Sequence, residues 1–519
     1  MNSTYRKNMN SNKNSSKKII SAVFLISLIY LSGCINITEI KPLTKDTLVW
    51  GVLRPEQIDA LNITIENSWS LIPNIYDSLL EIDNKFRTIP ALAVSWSTPD
   101  IQTWRFNLRH GVKFHNGEDF TAKDVKFTLE DISNSYYYDT IDNITIVDDY
   151  TIQFRTHTPS PAIPSFVYDC IILCKNATPE QGFIGTGPYH IVAFDPGNYT
   201  KLEWFEDYWG ETPQVKTVYF KAIENTTARL DALLSGEIDI AQYTIDERYQ
   251  AISQNPNITV VLYPSLNRFI VGFDMRKNES YAFPDGANPT ADVRVRKAIY
   301  QAINVTQLIN GPCNGLAEPL SQLIAPAIFG YNPKIARLPY NLTESKRLLA
   351  EAGYAHGFNI SVDNIEKGVN IQSSCLIVQQ LSKVGINVTL TNLSFLDFDQ
   401  KVMVNRNTSM YLVGYGGSMT VDGGTEYNYF IQSVSENTGS LNSGYYSNPE
   451  VDRLGIESSQ EMSPVARLKL LQEGFRIALV DDIAYVPLFN WDNIILTANN
   501  VNFSPYADQY MIVKDITFT

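Results

Sequence analysis

Cysteine, histidine and uninterrupted apolar sequence are all scarce in this chain of 519 residues. Five Cys and five His, with no C-x-x-C, H-x₃-H or H-E-x-x-H pair, leave no metal site legible. A G-x-S-x-G elbow, a Walker loop and a G-x-G-x-x-G fingerprint are missing too, so the common hydrolytic and nucleotide chemistries go; we expect neither an enzyme nor a cofactor. Positive charge is also short, with 41 Lys+Arg against 55 Asp+Glu and a formal charge of −14. That balance is a poor platform for a phosphate backbone and argues against a nucleic-acid partner. What is present is 44% apolar, 12% aromatic and 18% charged residues, a globular composition long enough for two or three domains.

The longest apolar run, Ile19–Leu31, has thirteen residues, short of the roughly 20 a membrane-spanning helix needs. Arg6, Lys7, Lys13, Lys17 and Lys18 precede it with no acid among them, the layout of a secretory signal. Leu31-Ser32-Gly33-Cys34 then resembles a lipobox, in which the Cys takes a lipid and becomes the first mature residue. Residues 1–33 are accordingly expected as signal peptide, Cys34 as the lipid attachment site and 34–44 as a tether outside the membrane. Without residues 1–33 the charge is −19. Fifteen Asn-x-Ser/Thr sequons follow Cys34, where random placement gives on the order of five or six, and this suggests a glycosylated, archaeal cell-surface protein. Four further cysteines, Cys170, Cys174, Cys313 and Cys375, are compatible with disulfides in three pairings.

Strand-like and helical segments interleave throughout, which reads as mixed α/β. Strands are expected at Thr47–Leu53, Val215–Ile223, Ile258–Tyr263, Phe269–Phe273, Ile386–Leu393, Met410–Tyr415, Tyr485–Phe489 and Ile494–Thr497. Helices with an apolar stripe are expected at Thr226–Ser235, Asp292–Ile303, Thr343–Ala352, Ser373–Val384 and Pro464–Leu479. In Trp104–Leu108 the residues Trp104, Phe106 and Leu108 alternate as a half-buried strand, Gly111 and Gly117 turn the chain, and Thr121 opens a helix.

That last segment, running from Trp96 through Arg109-His110-Gly111-Val112 to Val125, resembles the peptide/nickel family of extracellular solute-binding proteins, family 5. The resemblance continues in order at Gly185-Thr186-Gly187-Pro188-Tyr189, Tyr208–Pro213, Thr227–Asp239, Asp292–Asn304, Leu348–Tyr354, Tyr445–Asp452 and Ala484–Phe489. It implies a type II periplasmic-binding-protein fold: two α/β lobes joined by two hinge strands, with an extra α+β domain inserted in lobe I. By matching motifs, lobe I spans 45–85, 183–270 and 485–519, the inserted domain 86–182, and lobe II 271–484. The implied function is a lipid-anchored, monomeric receptor of an ABC importer on the outer face of the cell membrane, capturing di- or oligopeptides between the lobes and delivering them to the membrane permease; the alternative is a nickel-chelate receptor.

In peptide-binding members an acidic residue of lobe II pairs with the ligand's α-amino group. The corresponding segment here is Tyr415–Gly423, which makes Asp422 the expected amine anchor and Glu426 the fallback. Tyr415, Tyr427 and Trp491 are expected to line the cleft, where rigid aromatics supply contact area at low entropic cost. His110, His115 and His190 fall in turn motifs and read as scaffold.

Overall fold

A computed structural model describes residues 45–53, 70–83, 85–131, 140–178, 181–243, 248–263, 266–277, 288–366, 369–415, 421–506 and 510–519. The expected signal peptide, Cys34, the tether and the sequons at Asn36, Asn62 and Asn278 lie outside them. Among the described residues no helix is long and apolar enough to cross a membrane.

Three sheets carry the architecture. In the seven-stranded sheet, Thr47–Val52 lies at the centre, parallel to Thr217–Ala222 on one side and Ile240–Tyr243 on the other. Tyr199–Trp204 and Tyr189–Asp195 extend one edge, Asn493–Ala498 and Ile258–Tyr263 the other. The six-stranded sheet runs Ala317–Pro319, Tyr485–Trp491, Arg268–Phe273, Met410–Tyr415, Phe358–Ile365, Ile386–Leu393. The last three strands are parallel to one another. A four-stranded antiparallel sheet, Ala93–Asp100, Thr103–Leu108, Thr151–Thr156 and Ile141–Asp148, packs the helix Ala122–Asp131 over a core of its own that holds Phe106, Phe114, Phe120 and Phe154.

Burial explains why the two large sheets read as continuous apolar runs. All six residues of Arg268–Phe273 are buried, with Phe269, Val271 and Phe273 in one cluster and Ile270 in the cluster on the opposite face. A strand covered on both faces loses the polar alternation that marks a half-exposed one. Helices Val293–Ala302, Leu342–Glu351 and Val369–Ser382 cover the first face, and Pro464–Arg476 the second.

The chain crosses between the two large sheets twice, side by side. Ile258–Tyr263 leads to Arg268–Phe273, and Tyr485–Trp491 returns to Asn493–Ala498. Tyr263 faces Asn493 in one sheet and Arg268 faces Asn490 in the other, and Asn267 donates through Nδ2 to Asn493 Oδ1 at 3.3 Å between the crossings. Two expected boundaries shift: Arg268–Phe273 and Tyr485–Trp491 both belong to the six-stranded sheet, so the first crossing precedes Arg268 instead of falling at 270/271 and the return lies at Asp492 instead of 484/485.

The Gly185–Tyr189 motif joins the four-stranded and seven-stranded units. A Cβ at Gly185 would lie 1.9 Å from the Ile75 carbonyl oxygen and one at Gly187 2.5 Å from the Ile75 carbonyl carbon, so only glycine admits this approach. His115 accepts from Gly185 N through Nδ1 and faces the Gly187 carbonyl through Nε2, which assigns the proton to Nε2. Asp77 accepts from Thr186 Oγ1 at 2.9 Å and Trp209 Nε1 at 2.8 Å.

Asn225, Asn304 and Asn341, three of the sequon residues, cap helices by accepting a backbone N–H through Oδ1, which leaves Nδ2, the atom a glycan would take. Cys170, Cys174, Cys313 and Cys375 form no disulfide; the first three are buried and Cys375 is exposed.

Candidate functional site

The parallel strands of both large sheets end at the crossings. Tyr415, the last residue of its strand, pairs with Arg268, the first residue beyond one crossing; Tyr243, the last of its own, pairs with Ile494 beside the other. Open parallel sheets bind ligands outside the carboxyl ends of their strands, so the space between the sheets at this end is the candidate cleft.

On the six-stranded side, Arg268, Glu426, Tyr415 and Phe430 come together on one face of the sheet, and Trp491 packs on the other. Arg268 is buried with its guanidinium 5.2 Å from the Phe430 ring centre and 5.8 Å from that of Tyr415. Burial lowers its pKa, and the charge of Glu426 opposes the shift; Arg268 Nη1 lies 3.8 Å from Glu426 Oε1. Tyr415 meets Phe430 edge-on at 4.7 Å and directs its hydroxyl at Met403 Sδ, and burial holds its pKa well above the ordinary value. Trp491 is half-buried over Gly414, where a Cβ would fall 2.7 Å from Cη2.

Asp422 is not available as the expected lone anchor. Its two oxygens accept from Arg467 Nη1 and Nη2 at 2.5 and 2.8 Å, and Oδ1 also accepts from Gly424 N, capping the helix Gly423–Glu426. A forked guanidinium–carboxylate pair satisfies the acceptor positions an ammonium group would need. Tyr427 is likewise corrected: it is buried in the lobe core, donates to the Val451 carbonyl at 2.8 Å, and fills the space left by Gly455 and Gly474. Tyr415 and Trp491 stand at strand ends on opposite faces of the sheet, and Glu426 lies against Arg268 on the Tyr415 face. Arg268 and Arg467 were missed because each reads as one more residue of an apolar strand or helix.

A cavity of 590 Å³ opens farther from the crossings, between the four-stranded unit and the six-stranded unit. Asp422 and Arg467 form part of its wall, with Phe86 and Trp104 opposite. The volume lies within the roughly 300–1,000 Å³ typical of ligand pockets.

Two lobes with a double crossing and a cleft at the strand ends define a solute-binding receptor of the periplasmic type. The chain belongs to the bacterial extracellular solute-binding proteins, family 5, whose middle-region model matches residues 87–437. It is 26% identical over 416 residues to the glutathione-binding protein GsiB of Pectobacterium atrosepticum, covering 76% of this chain and 77% of the relative. Its fold is that of the Helicobacter pylori periplasmic binding protein DppA in complex with the peptide STSA, with a TM-score of 0.73 at 24% identity, over 91% of this chain and 98% of that one. It is also that of Staphylococcus aureus NikA in complex with Ni(L-His)2, with a TM-score of 0.73 at 20% identity, over 92% of this chain and the whole of the other.

Proposed function

We propose that this protein captures peptides between its lobes and delivers them to the permease of an ABC importer. The observation that carries the reading is the buried Arg268–Glu426 pair, 3.8 Å apart, beside Tyr415 at the strand ends of lobe II. A zwitterionic peptide brings one charge of each sign to such a pair, and apolar side chains to Tyr415 and Trp491. Among the described residues no three His, Cys, Asp or Glu side chains gather, so nickel would have to arrive with its own ligands, and the Ni(L-His)2 held by NikA makes that the second reading.

The lobes in this reading follow the sheets: 45–85, 183–263 and 493–519 with the seven-stranded sheet, 86–182 as the inserted domain, and 268–491 as lobe II. Cys34 carries the lipid that holds a single copy at the outer face of the membrane, and the sequons suit an archaeal glycoprotein. Protein stripped of carried ligand by unfolding and refolding is the material for the test. A peptide present at a hundredfold its Kd should add about 2.7 kcal/mol to stability, seen as a thermal shift absent with Ni²⁺ and nickel–histidine. A shift with the nickel species alone overturns the peptide reading.

A further inference from the structure

A second cavity, of 70 Å³, lies between lobe I and the inserted domain. Tyr76, Asp77, Tyr208 and Lys514 line it from lobe I, Tyr168 and Asp169 from the inserted domain, and no residue of lobe II takes part. It is therefore separate from the cleft at the crossings. Backbone bonds fix its frame: Ser78 pairs with Ile171 across the two units, and Ile172 N donates to the Asp77 carbonyl at 3.0 Å. One water needs about 10–15 Å³ of such space, so the cavity takes a molecule of a few heavy atoms.

Three carboxylates, Asp77, Glu81 and Asp169, line the cavity against one cation, Lys514. Lys514 Nζ lies 4.0 Å from Glu81 Oε2, and Asp169 accepts from the Tyr510 hydroxyl at 3.4 Å. Asp77 differs from both. Thr186 Oγ1 and Trp209 Nε1 donate to its Oδ2, whereas Oδ1 has no hydrogen-bond partner among the described residues, although the residue is only 6% exposed. The hydroxyls of Tyr76 and Tyr208, residues 6% and 9% exposed, are also without a partner among the described residues. The charges of Asp77 and Glu81 add to the effect of burial in raising the pKa of Tyr208, so its hydroxyl stands near the acids. Burial likewise raises Asp77 to about 6, and Glu81 adds to the rise against Trp209, Thr186 and Lys514. A buried oxygen with no donor is unfavourable, and this cavity has three.

The excess of carboxylates selects against an anion. Among the described residues no three His, Cys, Asp or Glu side chains gather to hold a metal ion, which leaves an organic cation. A primary ammonium group brings three N–H donors, one for each of the three oxygens, and tyrosine faces suit the positive charge and its alkyl substituent. We propose that this cavity binds a small primary alkylammonium ion, with Asp77, Tyr76 and Tyr208 accepting its N–H groups. The site does not rest on the peptide reading, and peptide capture does not require it.

The test is thermal unfolding of the full mature protein, with ethylammonium chloride titrated beside tetramethylammonium chloride and sodium chloride at equal ionic strength. Ethylammonium should raise the midpoint saturably. Tetramethylammonium carries the same charge without an N–H donor and should match sodium. Tyr208→Phe removes a hydroxyl that bonds to no described residue, so it should leave the midpoint in sodium chloride unaltered and weaken the ethylammonium affinity about fivefold. Asp77→Asn should weaken it more than about tenfold; where that variant fails to fold, Tyr208→Phe decides. No shift with ethylammonium, a shift that either control salt equals, or an affinity unchanged in Tyr208→Phe overturns the site.

Discussion

Asp422 shows how one side chain can be conspicuous in sequence while its partner is not. It closes a Gly-rich segment and caps a helix, both visible locally, but its partner Arg467 lies 45 residues away on a helix that reads only as an apolar stripe. Substituting Asp422→Asn should therefore destabilise the fold by about 3–5 kcal/mol, the cost of leaving a buried guanidinium half-paired, measured by urea unfolding. A loss of peptide binding with unaltered unfolding would restore it to the role of amine anchor. Tyr427 was misread for a related reason. Two glycines on other helices, Gly455 and Gly474, make the hole it fills, and no local pattern around Tyr427 announces them. That Tyr415 and Trp491 end strands was legible, because a run of apolar residues stops at each.

At the scale of elements, the Gly185–Tyr189 turn is held from two sides by groups whose titrations oppose each other. Burial pushes the pKa of His115 from 6.5 down to about 4, so the stability it contributes is complete above pH 6.5 and is lost as pH falls towards 4. Burial pushes Asp77 from 3.8 up to about 6, against the donors Trp209 and Thr186, so its contribution is complete below pH 3.8 and is lost as pH rises through 6. Between pH 4 and 6 the two slopes cancel. Asp77→Asn removes one of them, and the variant should gain on the parent by about 2 kcal/mol as pH is raised from 4 to 6.5, a shift of one unit being worth about 1.4 kcal/mol. Urea unfolding at the two pH values measures this, and a gap that stays constant would deny Asp77 its raised pKa. Gly187→Ala at the same turn should cost more than about 2 kcal/mol in the same assay, because the atom in the way is backbone.

Most elements at this scale were legible: Ile258–Tyr263, Ile386–Leu393 and Met410–Tyr415 stand where apolar and β-branched runs put them. The expected helix at Ser373–Val384 begins earlier, at Val369, because its first turn carries no capping signal of the kind Asn225 or Asn341 gives elsewhere.

For the molecule as a whole, binding should be read out as closure, since a ligand touching both lobes favours the state in which both can reach it. Small-angle scattering should report a smaller radius of gyration with saturating peptide, and no change with a peptide that fails to shift the thermal unfolding. The assignment of strands to lobes was the part of the architecture least legible in sequence. Tyr485–Trp491 and Asn493–Ala498 are separated by one residue, Asp492, with no glycine or proline to mark a change of sheet, and only their partners reveal that the chain has passed from one lobe to the other.

The two crossings run side by side and share the Asn267–Asn493 hydrogen bond. Two short adjacent straps between rigid bodies resist sliding and twisting and yield mainly to bending, as a door does on paired hinges. The lobes then have essentially one mechanical degree of freedom, and a single donor–acceptor dye pair, one on each lobe at the rim away from the crossings, would follow the entire opening coordinate.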